Sequence, residues 1–144
     1  MKEAYVKFET AQLLKEKGFD WELRTYYNED GDELRLHDDF ADMSNSEIGT
    51  CDTDYIDYLD IHCTRPTQQM VCRWLREEHN ILVTVLPCEV GAGVDDYTYV
   101  IYESQPEDYH FKFIEQGRMQ PVAYTMDYEG TLEEGIKHVL NNLI

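Results

Sequence analysis

Apolar and polar positions alternate along the chain in a few clear blocks. The clearest runs from Pro66 to Glu89, PTQQMVCRWLREEHNILVTVLPCE. Met70, Val71, Trp74 and Leu75 fall on one helical face, while Arg73, Arg76 and Glu77 lie outside it. The stretch Thr64–Thr67 supplies cap candidates, with Pro66 suited to a first turn. Asn80 is placed to end the helix. Ile81–Pro87 is apolar on both faces and predicts an interior strand, with Pro87 limiting pairing at its end.

Before this unit, Phe8–Lys17 predicts a short helix with Ala11, Leu13 and Leu14 on its apolar side. Gly18 and Phe19 have the character of a Schellman stop, glycine taking the left-handed position and the next apolar residue folding back. In Trp21–Tyr27, Trp21, Leu23, Thr25 and Tyr27 alternate with Glu22, Arg24 and Tyr26, the period of a half-buried strand. Asn28–Glu33 is a turn centred on Asp30 and Gly31, and Leu34–His37 returns as the partner strand. Asp38–Thr53 has turn composition and reads as surface loop. Tyr55–Cys63 reads as a strand leading into the central helix.

After the unit, Val90–Asp96 reads as a hairpin loop and Tyr97–Glu103 as a strand rich in β-branched and aromatic residues. Gln105–Asp108 is a turn. Tyr109, Phe111 and Phe113 alternate with His110 and Lys112, which predicts another strand. Gln116–Gln120 breaks it, and Val122–Met126 reads as a last short strand. Leu132, Ile136, Val139, Leu140 and Leu143 make a closing helical stripe, with Thr131 and Glu134 as a capping box. Gly135 costs this helix about 1 kcal/mol against alanine, so close approach of its backbone to the sheet is expected. The order α-β-β-(β)-α-β-β-β-(β)-α predicts an α+β fold. It is expected to be a single two-layer domain over residues 1–144, with a mostly antiparallel sheet and about three helices packed on one face.

Charge changes this picture most. The 144 residues carry 30 acids against 12 bases, a net charge of −18. Asn28 to His62 alone holds twelve acids and one base, Arg35, so 28–62 reads as an acidic, partly irregular insert. Such a chain repels bare nucleic acid and anionic membrane, and attracts basic proteins. The longest apolar run, Ile81–Pro87, is far short of a membrane span. The opening MKEAYVKFET has no apolar stretch of the kind a secretory signal needs. The four cysteines (Cys51, Cys63, Cys72, Cys88) lack CxxC spacing, so reduced thiols in a cytoplasmic protein are expected.

Three segments carry a family likeness: VKFETAQLLKEKGFD, RPTQQMVCRWLREEHNI and YEGTLEEGIKHVLNNLI. In this order they resemble a family of short proteins of unassigned function from gut Bacteroidales and their prophages or other mobile elements. The likeness covers the first twenty residues, the central helix with its strand, and the last helix; the acidic middle is covered least. It implies a phage or mobile-element setting. It implies no activity and supplies no catalytic residue.

The chemical motifs weigh against most enzyme classes. A calcium loop needs glycine at its sixth position; counting from Asn28 it falls fourth, and from Asp38 or Asp52 none falls sixth. Zinc needs compact ligand spacing, whereas Cys72 and His79 stand about 10 Å apart along a helix. His62 and Cys63 are the one pair worth inspecting for nucleophilic chemistry. Gly91 and Gly93 lack the strand and helix context of a nucleotide loop, and no GK[ST] occurs. Trp74 on a helical stripe reads as core rather than a stacking platform. No cofactor or metal is expected, and no catalytic residue stands out.

The sequence therefore predicts a small, non-enzymatic accessory or protein-interaction module. The alternative is an acidic, DNA-mimic-like decoy for a basic nucleic-acid-binding protein, and an enzyme with an unrecognised site comes third. The candidate partner-binding residues are Asp30, Asp32, Glu33, Asp38, Asp39, Asp42, Asp54, Asp57 and Asp60, with Tyr55 and Tyr58 as aromatic anchors among them. The expected partner is a basic protein. Oligomeric state is left open.

Overall fold

A computed structural model describes residues 3–48, 60–87, 97–105, 107, 110–117 and 127–144. The fold is α+β: the described residues form four helices and two antiparallel three-stranded sheets. The chain gathers into two compact units, Met1–Thr67 and Gln68–Ile144.

In the first unit, helix α1 (Phe8–Glu16) buries Thr10, Ala11 and Leu14. Its end has the geometry that Gly18 and Phe19 predict. Gly18 takes φ +88°, its N–H donates to Lys15 O, and Phe19 N–H donates to Leu14 O at 2.9 Å. Phe19 is fully buried, which closes the Schellman motif with its apolar contact. Strand β1 (Thr25–Asn28) pairs with β2 (Glu33–Arg35) across the predicted turn, in the register Tyr26↔Leu34. Asn28 Oδ1 accepts from the N–H groups of Asp30 and Asp32, both at 2.9 Å, and Gly31 takes φ +83°. Strand β3 (Ile61–Thr64) pairs on the other side of β1, giving the order β2-β1-β3.

Both faces of this sheet are covered. Tyr27 gives its hydroxyl to Val6 O at 2.6 Å and meets Phe8 edge-on. Tyr26, expected on the polar side of the alternation, is fully buried with Leu36, Met43 and Ile48. The reason lies in the stretch read as surface loop. Leu23 and Met43 exchange backbone hydrogen bonds, and Ser44 with Glu47 forms a capping box around a single-turn helix α2 (Asn45–Ile48). Residues 38–48 thus form a lid over Tyr26; 49–53 and Tyr55 to Leu59 lie outside the described residues. Asn45 fastens the lid. Its Nδ2 donates to Phe19 O at 2.7 Å, and its Oδ1 accepts from Thr64 N at 2.9 Å.

In the second unit, helix α3 (Gln68–His79) buries Val71, Cys72, Trp74 and Leu75. Met70, expected in the core, is 38% exposed. It sits at the margin of the buried arc, where Cys72 occupies the inner side instead. Asn80, at φ +56°, ends the helix as expected. Strands β4 (Ile81–Pro87), β5 (Tyr97–Gln105) and β6 (His110–Gln116) form a sheet of that order. Among the described strands β4 is an edge rather than an interior strand. Ile81, Val83 and Val85 are buried, while Leu86 on the alternate face is exposed. The predicted loop 90–96 and strand 122–126 lie outside the described residues.

Helix α4 (Tyr128–Asn142) begins one turn before the expected Thr131. Asp127 is the cap, accepting from Gly130 N at 2.7 Å. Thr131 lies inside the helix with its hydroxyl bonded back to Asp127 O, a common use of threonine at the fourth position. The helix packs on β4 and β5, and Gly135 is the point of closest approach. A Cβ there would stand 2.8 Å from Val83 Cγ1 and 3.1 Å from Tyr99 Cβ.

Two substitutions test this packing by urea unfolding. Gly135→Ala gains about 1 kcal/mol of helix propensity but overpacks a site walled by a β-branched side chain, so a net loss of about 1–2 kcal/mol is expected. Asn45→Ala takes the acceptor from the buried Thr64 N–H and a donor from Phe19 O, and should cost about 1–3 kcal/mol. A neutral result at either position would refute the packing role.

Candidate functional site

The acidic candidates are shaped by the bases that flank them. Arg24 lies just before the acidic segment with its side chain 27% exposed. Its Nη1 meets Asp38 at 3.2 Å, its Nε donates to Asp42 at 3.0 Å, and its Nη2 donates to Phe40 O at 3.1 Å. Arg65 follows the segment, pairs with Glu33 at 3.1 Å and stacks over the Tyr5 ring at 3.9 Å. Asp39 lies 3.2 Å from the His37 ring. Asp32 accepts from Asn28 Nδ2, and Asp30 and Asp60 are exposed. So Asp38 and Asp42 come together around one guanidinium, while Glu33 is tied elsewhere. Asp54, Asp57, Tyr55 and Tyr58 lie outside the described residues. Asp20, not among the candidates, has its carboxyl held below the usual range by the Ser46 N–H and hydroxyl.

The thiols of Cys63 and Cys72 are free and buried. Burial pushes each from an ordinary value of 9.0 up to about 11. A thiol held neutral is a poor nucleophile. The neighbouring His62 ring engages Gln12 at 3.4 Å, and no hydrogen bond joins it to Cys63. Trp74 is core, 4% exposed, with the His79 ring edge-on at 4.6 Å. Among the described residues no group of three or more His, Cys, Asp or Glu is arranged to hold a metal ion, and no helix is long and apolar enough to cross a membrane.

The more unusual surface belongs to the β4-β5-β6 sheet. Alternation along β6 does create an aromatic face, but it points away from the helices. Phe111 is 58% exposed and Phe113 56%. Each meets Tyr102 edge-on, with ring centroids 6.4 and 6.2 Å apart. Tyr102 stands opposite Phe113 on one side and Leu82 on the other. The signal for this face was present in the FKF alternation; its exposure was not, because alternation alone does not say which face the helices choose.

A bulge between Ile101 and Tyr102 leaves Ile114 as the extra residue of β6. Beyond it, Glu115 reaches the inner face and bonds His138 of α4 at 2.5 Å. Ile114 itself joins His79, Ile81, Glu103, Leu143 and Ile144 around a groove of about 540 Å³. Sequence reasoning had no signal for this groove, since its lining comes from four separate stretches of the chain.

Comparison with protein-family models, with curated proteins and with solved structures finds no match for the chain.

The raised thiols give a pH dependence. In the unfolded chain each cysteine ionises near its ordinary 9.0; in the fold it stays neutral until about 11. Their contribution is therefore full below pH 9 and is lost as pH rises towards 11, at most about 2–3 kcal/mol per thiol. Urea unfolding under reducing conditions should show a level stability from neutral pH to the onset of thiol ionisation, then a decline. In a Cys51→Ser/Cys88→Ser background the native thiols should resist a chromogenic thiol reagent at neutral pH. Fast reaction of either would show that it is not buried.

Proposed function

We propose that this protein is a non-enzymatic protein-interaction module of a phage or other mobile genetic element, acting in the cytoplasm on a basic protein. The observation that carries the reading is the outward aromatic face of Tyr102, Phe111 and Phe113. Half-exposed phenylalanines, each edge-on to Tyr102, are costly to leave in water, and covering them is worth about 1 kcal/mol or more per ring. Contiguous exposed apolar surface of this kind marks binding faces. The net charge of −18 supplies the sign of the partner, by steering oppositely charged proteins and repelling acidic ones. The free thiols of Cys63 and Cys72 fit a reducing compartment. The mobile-element setting is supported by the three sequence segments that carry the family resemblance.

The decoy reading has less behind it. A nucleic-acid mimic needs free carboxylates set out like phosphates, whereas Asp38 and Asp42 are drawn onto Arg24 and Glu33 onto Arg65. The enzyme reading finds no support in the described thiols, since burial holds both Cys63 and Cys72 protonated at neutral pH.

The test is paired capture from a host extract with wild type and Phe111→Ser/Phe113→Ser. Both side chains are exposed, so the variant should keep its stability within about 1 kcal/mol. A basic protein held by wild type at low salt and lost from the variant, with affinity down at least tenfold, is the expected result. Equal retention by both would overturn the assignment of this face.

A further inference from the structure

The groove on the helix side of the same sheet has a composition that the aromatic face lacks. Ile81, Ile114, Leu143 and Ile144 give it apolar walls, and Glu103 and His79 give it two polar groups. Glu103 is exposed. Lys112 stands across the ladder from it, yet the two form no ion pair, so the carboxylate remains available to a ligand. The His79 ring is braced by Trp74 at 4.6 Å, which fixes a flat surface at one side. The groove's volume of about 540 Å³ falls in the range of small-ligand sites.

The geometry points to this groove as a receptor for an arginine side chain of the basic partner. This deepens the interaction-module reading and rests on it. An arginine matches the lining part by part. Its methylene stem lies against isoleucine and leucine walls, as long basic side chains do on apolar surface. Its planar guanidinium meets the Glu103 carboxylate in a charge-assisted, two-point hydrogen bond and lies against the imidazole of His79. An acidic or purely apolar chain satisfies only half of the site, the first repelled by Glu103 and the second leaving that carboxylate desolvated and without a partner. The bulge in β6 is what completes the pocket, since it turns Ile114 onto the groove side while Phe113 stays on the outer face.

The probe is a blocked peptide, acetyl-Ala-Arg-Ala-amide, titrated into the full chain and followed by amide and methyl NMR shifts. Shifts centred on Ile81, Glu103, Ile114 and Leu143 are expected, with binding weakened about tenfold by Glu103→Gln, the scale of one charged hydrogen bond. Leu143→Lys, at a half-exposed position that tolerates a long polar side chain, should weaken it similarly by repelling the guanidinium. The same peptide with citrulline in place of arginine should not bind. The inference is overturned if the arginine peptide produces no shifts at these residues, or if the citrulline peptide binds equally well. The titration does not involve Phe111 or Phe113, so its failure leaves the docking-face reading standing. Loss of that reading in the paired capture would in turn leave the peptide result intact.

Discussion

The close approach of α4 to the sheet at Gly135 sets the terms for the second unit. A missing Cβ lets the helix backbone come against Val83 and Tyr99, and Leu132, Ile136, Val139 and Leu140 are then buried. That choice commits one face of β4 and β5 to the core. Leu86, Phe111 and Phe113 are no less apolar than the residues inside, but the helix stripe is already spent on the other face. Thr98 and Val100 on the outer face of β5 are buried all the same, so the exposure is confined to Leu86 and the phenylalanines of β6, and that local exposure is the reason to propose a partner for them.

A comparable economy governs the acidic segment. Its charge suggests an extended, self-repelling insert. Instead, two arginines that sit just outside it, Arg24 and Arg65, draw parts of it back. Exposed ion pairs contribute little one by one. Here the partly buried Arg24 gathers Asp38, Asp42 and the Phe40 carbonyl at once, which favours one path for the lid over many. The lid in turn keeps Tyr26 dry, and burial pushes its hydroxyl up to about 12. That hydroxyl donates to Leu23 O and accepts from Met43 N, so the burial is matched by hydrogen bonds rather than left as a cost.

What could be read from the chain was local, and what could not was a matter of which side faces what. The Gly18 stop, the Asn80 stop, the Asn28 turn and the Gly135 approach all follow from single residues whose backbone needs are strict. The burial of Tyr26 was hidden because its cover comes from residues 36–48, whose sequence has turn composition. A signal was there: Ser44 and Glu47 have capping-box spacing, and Met43 and Ile48 bracket them. The edge position of β4 among the described strands was hidden for a different reason. Leu82 and Leu86 make the strand look two-sided, and a two-sided apolar strand can be central or can be an edge with one face waiting for a partner. Of the named partner-binding carboxylates, the structure brings Asp38 and Asp42 together, but for Arg24; the surfaces with stronger claims carry few acids.

The bulge at Ile114 connects the two surfaces of the second unit. Without it, strict alternation along β6 would place Ile114 or Glu115, but not both, on the inner face. The inserted residue allows Glu115 to bond His138 and Ile114 to wall the groove, while Phe111 and Phe113 keep their places beside Tyr102 outside. One seven-residue strand therefore serves a helix contact, a charged groove and an aromatic face. The groove and the aromatic face lie on opposite sides of the sheet, so a single side chain cannot fill both. A partner of the proposed kind that used both would wrap around the sheet, contributing an apolar surface on one side and a basic side chain on the other. On the proposed reading, that would restrict the partner more tightly than net charge does, because it asks for two chemically different groups on opposite sides of one sheet.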